Sequence, residues 1–153
     1  MGGISFQVLG SDISWAQARA EINRLCLALS YSEERSHEVL TAVEEALSNS
    51  RQHAHGGDAS VPIDVHARPE GDALWIEVHD RGPGLKTIPP TPDLSRKLSG
   101  QEHPRGWGLF LMRTLASLVE FEIRPPHSCN VRLRFDPQAP SAAVPIRILE
   151  VQE

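Results

Sequence analysis

The chain has 153 residues, 40% of them hydrophobic and 23% charged, and a net charge of −5. That length suits one domain with its own core, and the mildly acidic balance speaks against nucleic-acid binding, whose footprint is basic. No apolar run approaches the ~20 residues of a membrane span, so neither nucleic acid nor membrane is an expected partner.

The start, MGGISFQVLGSD, lacks the basic and apolar parts of a secretory signal. Two cysteines, Cys26 and Cys129, make neither a disulfide framework nor a metal site, and a reduced, cytoplasmic chain is expected.

Residues 4–9 (ISFQVL) alternate weakly and predict a short strand. Ser11 or Ser14 caps a first helix that runs to about Leu29, with Trp15, Ala18, Ile22, Leu25, Cys26 and Leu29 at helical spacing. Ser32 opens a second helix, with Glu33 and Glu34 in the first turn, where the helix dipole favours acids. It should reach about His53, burying Val39, Leu40, Val43, Ala46, Leu47 and Ser50, before Gly56-Gly57 stops it.

Strands are predicted over 60–67 and 73–79, around a turn at Arg68–Asp72. Residues 81–105 hold five Pro and five Gly or Ser, too long a loop for a compact domain unless it is a lid. A helix from Gly106 to about Leu118 and strands over 119–125 and 130–135 follow. The expected division is a domain over 1–135 and a tail over 136–153, in which a strand-like stretch at 146–151 has no assigned place. Runs of helices and runs of strands indicate an α+β, two-layer sandwich. Its mixed, mostly antiparallel sheet would be covered on one face by about three helices.

Three stretches carry chemistry. In EEALSNSRQHAH, Glu45, Asn49 and His53 fall at i, i+4 and i+8 and share one helix face, which is most often simply a solvated edge. Asp80-Arg81-Gly82-Pro83-Gly84-Leu85 follows a strand. It reads as a tight turn, or as a fixed acceptor for an exocyclic amine such as adenine's, with glycines that let a flat ligand come close. Arg105-Gly106-Trp107-Gly108-Leu109-Phe110-Leu111-Met112 opens a helix whose free N–H groups suit phosphate, Trp107 being more often a packing residue.

The order is an E-x-x-x-N-x-x-x-H helix, a strand ending in D-x-G-x-G, a lid, and G-x-G-L-x-L-M opening a helix. Over roughly residues 10–135 this resembles the GHKL ATPases (gyrase, Hsp90, histidine kinase and MutL type) with their Bergerat ATP-binding fold. Within that superfamily the chain looks most like the bacterial anti-sigma-factor serine/threonine kinases, on AVEEALSNSRQHAH and GWGLFLMRTLA. A sensor histidine kinase would need a phospho-acceptor His helix ahead of the ATPase part, and segment 14–31 contains no His.

The resemblance implies ATP and Mg²⁺ as cofactors. It makes Asn49 the Mg²⁺ ligand and Glu45 the general base, and it places His53 near the phosphates. Asp80 would bind adenine, with Gly82, Gly84 and Leu85 shaping that pocket. Gly106, Gly108 and Leu109 would close the phosphate end, and Arg105 or a lid cation (Lys86, Arg96, Lys97) would offset charge.

It further implies a STAS-type anti-sigma-factor antagonist as phosphate acceptor, a sigma factor as second partner, and a homodimer. Where the family often has a Gly-Thr pair, this chain has Ser128-Cys129-Asn130-Val131, with Ser128 the nearest hydroxyl. The alternatives are an ATP-binding regulator without phosphotransfer and a pure interaction domain. Retention of Glu45 with Asn49 argues against the first, and the intact glycine motifs argue against the second.

Overall fold

In the computed structural model, residues 2–10, 12–54, 60–82, 107–124 and 128–151 are described, Asp12, His53 and Ala54 by backbone alone. Free of Gly and Pro, Glu33–Ala54 forms one 22-residue helix, α2. Its Val39, Ala42, Val43, Ala46 and Leu47 are buried at helical spacing, while Leu40 is only partly covered.

Helix α1 (Asp12–Ala28) precedes it, with Ser14 Oγ accepting the Leu9 N–H at 2.8 Å. It ends in a Schellman motif. The Tyr31 N–H reaches the Cys26 carbonyl and the Ser30 N–H the Leu27 carbonyl, with Ser30 left-handed at φ 61°. A third helix, α3, spans Trp107–Leu115.

Six strands form one sheet in the order β1-β2-β3-β5-β4-β6. They are β1 (Ile4–Val8), β2 (Ile63–Glu70), β3 (Ala73–Asp80), β4 (Leu118–Arg124), β5 (Ser128–Phe135) and β6 (Ile146–Glu150). Every pairing is antiparallel except β4 with β6. The stretch the sequence left unplaced is therefore the strand beside β4.

Strand β2 starts at Ile63 rather than at residue 60 and β5 at Ser128 rather than at residue 130, and two further boundaries differ for a visible reason. Strand β2 runs on through Arg68-Pro69-Glu70, and only Gly71 (φ 62°) and Asp72 make the turn. Pro69 is tolerated because β1 reaches only to Ile4, opposite Ala67, so no ladder bond on that side needs an N–H from it. Helix α3 stops at Leu115 rather than Leu118 because the Ser117 N–H is taken by the Arg134 carbonyl at 2.7 Å, which starts β4.

Alternation sorts the sheet into two faces. Leu74, Ile76 and Val78 of β3 and Val131, Leu133 and Phe135 of β5 are buried against the helical layer. On the other face Trp75 lies under the guanidinium groups of Arg68, Arg132 and Arg134, at 5.5, 5.2 and 6.0 Å from its ring centre. Arg132 also pairs with Glu77 at 2.9 Å and Glu120 at 3.1 Å. This is the two-layer α+β architecture expected from the element order.

Candidate functional site

Hydrogen bonds fix which way each element runs along the sandwich. At one end, buried Arg35 in the first turn of α2 donates to the Leu115 carbonyl at 2.6 Å and the Asp136 carbonyl at 2.8 Å. That end therefore holds the start of α2, the finish of α3 and the finish of β5. At the other end Arg51, late in α2, donates to the carbonyls of Val8 and Val61. Register puts Asp64 opposite His79 and Asp80 opposite Cys129 there. The second half of α2, the end of β3 and the start of α3 thus gather at one end.

Helix α2 brings Glu45 and Asn49 to this end, both half-buried, while Glu44 is exposed. The side chain of Glu45 lies against α3. A β-carbon built on Gly108 would stand 2.6 Å from Glu45 Oε2 and 3.6 Å from its Cβ. Gly108 is therefore a glycine of close approach, and the partner it makes room for is the carboxylate of another motif. Leu109, next in α3, is buried in the core, so its part is to seat the helix.

Asp80 closes β3 with only 5% of its surface exposed. Its Oδ1 accepts the N–H of buried Gly82 at 2.8 Å, a local turn that aims the carboxylate. The tight turn expected here is present, and the carboxylate that the sequence offers as an acceptor is buried at its start.

Across from Asp80 stands Cys129, 2% exposed, whose thiol is pushed up to about 12, by burial first and then by the Asp80 charge. Ser128, the hydroxyl singled out from sequence, instead pairs with Arg124. Counting strand alternation back from Val131 would have pointed to Cys129, because the inward positions of β5 are odd-numbered.

The remaining sequence candidates lie outside the described residues: Gly84, Leu85, Arg105, Gly106, the lid cations Lys86, Arg96 and Lys97, and the side chain of His53. Among the described residues no group of three or more His, Cys, Asp or Glu could hold a metal. On α2 at this end the oxygen donors include the Asn49 amide and the Glu45 carboxylate. They suit a hard cation that takes few protein ligands, as Mg²⁺ does. No helix among the described residues is long and apolar enough to cross a membrane.

A helical layer on one face of a mostly antiparallel six-stranded sheet, with a buried Asp closing β3 and Glu45 meeting Gly108 between α2 and α3, defines a two-layer α+β class of domain. Residues 12–135 match the family described as the histidine kinase-like ATPase domain, and the chain belongs to that family. No curated protein gives a significant match.

Among solved structures the chain is similar to the RsbU and RsbW domains of Rv1364c from Mycobacterium tuberculosis, with a TM-score of 0.59 and 17% identity. That match covers 95% of this chain and 35% of the other, so the chain spans about a third of that protein. It is also similar to the SiaB–SiaC complex from Pseudomonas aeruginosa, with a TM-score of 0.56 and 14% identity, covering 86% of this chain and 88% of the other. At these identities the likeness is one of fold.

Proposed function

We propose that this chain binds Mg-ATP at the α2–β3–α3 end and passes the γ-phosphoryl group to a serine of a STAS-type anti-sigma-factor antagonist. The observation that carries the reading is convergence. Three motifs far apart in sequence meet at one end of the sandwich, and two of them touch through Glu45 and Gly108.

Asp80, buried and aimed by Gly82, suits the amino group of adenine. The amide oxygen of Asn49 would hold Mg²⁺, with phosphate oxygens and water completing its shell; bound there, the ion would offset phosphate charge. Glu45 takes the proton of the target serine as its Oγ bonds to the γ-phosphorus. The bond from that phosphorus to the β-phosphate oxygen breaks, and ADP leaves.

In the regulatory cycle, nucleotide and phosphorylation state would bias the chain between the antagonist and a sigma factor, each partner changing affinity for the other by linkage. Both similar structures hold a second domain or protein, RsbU with RsbW and SiaC with SiaB, which supports a partner-binding role. A homodimer and a cytoplasmic setting belong to this proposal on resemblance.

A second reading, nucleotide-gated partner binding without transfer, is favoured by one observation: the Glu45 carboxylate rests against α3. Calorimetric titration with Mg-ADP and a non-hydrolysable Mg-ATP analogue, with and without EDTA, tests the site. Transfer of labelled γ-phosphate to serine-bearing STAS proteins then separates the two readings. Metal-dependent binding with transfer supports the kinase, binding alone supports the gate, and no binding at millimolar nucleotide removes both.

A further inference from the structure

Helix α3 is nine residues long, too short to be stable by its own hydrogen bonds; Leu109 and Met112 seat it in the core, and the contacts at its two ends fix how it lies on that seat. Its first turn meets Glu45 at Gly108. Its last turn is held by a reciprocal pair of bonds. The Arg113 Nε donates to the Val144 carbonyl at 2.7 Å, and the Val144 N–H donates to the Arg113 carbonyl at 2.8 Å.

That carbonyl is one of the four a helix leaves unpaired at its C-terminus. Two more of them are taken, Met112's by the Ala116 N–H and Leu115's by Arg35. Val144 leads directly into β6, whose Ile146 pairs with Val119 of β4. Both lie beyond residues 12–135, where the family match ends.

We propose that Arg113 is a positioning residue for the phosphate end of the nucleotide site. With Val144 it clasps α3 to the β6 segment, and the clasp sets where Trp107 and Gly108 stand against Glu45. Gly108 and Arg113 are five residues apart, about 7.5 Å along the axis. A shift at the clasped turn is therefore carried to the first turn by a rigid rod of little more than one helical repeat. Asp80 is on β3, in the middle of the sheet, and does not depend on the clasp. The inference rests on the nucleotide reading above, and it predicts an effect on one end of the ligand only.

The test compares full-length wild type, Arg113→Ala and Arg113→Lys. Calorimetry gives the Kd for adenosine, which needs only the Asp80 end, and for a non-hydrolysable Mg-ATP analogue, with the thermal midpoint measured alongside. The expected result is that Arg113→Ala weakens the triphosphate about tenfold and leaves adenosine unchanged. Arg113→Lys, which can still donate to the Val144 carbonyl, recovers most of the loss. Equal weakening of both ligands would mean general loosening and overturn the clasp, as would wild-type affinity for both in Arg113→Ala. Wild type that binds neither ligand overturns the nucleotide reading itself. If Arg113→Ala does not fold, Arg113→Gln goes through the same comparison.

Discussion

Gly108→Ala adds one methyl group where the geometry leaves no room. Its carbon would lie 2.6 Å from Glu45 Oε2, roughly 1 Å inside ordinary contact. Two effects then oppose each other. Ala is a better helix former than Gly by about 1 kcal/mol. Moving the Glu45 carboxylate off its rotamer or tilting α3 costs about 1–3 kcal/mol, so the net change in stability should lie between roughly zero and 2 kcal/mol of loss.

Remove the obstacle and the sign reverses. In a Glu45→Ala background the nearest remaining Glu45 atom is the Cβ at 3.6 Å, an ordinary contact. Gly108→Ala should there stabilise by about 1 kcal/mol. Urea denaturation of the four proteins of this cycle measures the coupling directly, expected at about 1–3 kcal/mol. Additivity within about 0.5 kcal/mol would show that Glu45 does not rest on α3 and that the two motifs do not touch.

Other substitutions give separate readouts. Glu45→Ala should keep Mg-nucleotide affinity within a few-fold and abolish transfer to a STAS serine; transfer at the wild-type rate would remove the base role. Asp80→Asn should weaken adenosine and ATP alike, by about 1–3 kcal/mol, and unchanged calorimetric affinity would clear Asp80 of base recognition.

Ser30→Gly relieves a left-handed residue at the end of α1 and should raise stability by about 1 kcal/mol, read as a higher thermal midpoint. Stability should also fall in alkali. Cys26, ordinarily 9.0, is raised to about 11, by burial first, so the native state keeps a proton that the unfolded state has released above pH 9. Its contribution is whole below pH 9 and is lost between 9 and about 11, at up to about 1.4 kcal/mol per pH unit. Cys26→Ala should flatten that part of the curve, and an unaltered slope would contradict the assignment.

Much of the site end was legible before any coordinates because its signals are local. A Gly- and Pro-free helix displays Glu45 and Asn49 on one face by geometry alone, and a strand pattern followed by a turn signal puts Asp80 at the end of β3. What escaped depended on pairing between distant segments. Nothing near Ile146–Glu150 says that the strand will run parallel to β4, since that is decided by a free edge elsewhere in the sheet. Pro69 looked like a turn residue because Pro usually is one, and only the short reach of β1 shows why a strand tolerates it. Ser128 is the hydroxyl of that stretch, yet register sets Cys129, not Ser128, opposite Asp80.

The long-range hydrogen bonds at the far end of the sandwich also bear on how the chain reaches this shape. Tyr31 donates to the Phe135 carbonyl across 104 positions, and Arg35 to the Asp136 carbonyl across 101. Helices α1 and α2 can form early from nearby residues, yet these two side chains find their partners only once β5 exists. Closing such long loops is slow, because their entropy is lost before the contacts compensate. Refolding should therefore be limited by docking of the β4–β5 hairpin onto β3. Mutations at Tyr31 and Arg35 should then speed unfolding far more than they slow folding, as expected for contacts made after the barrier.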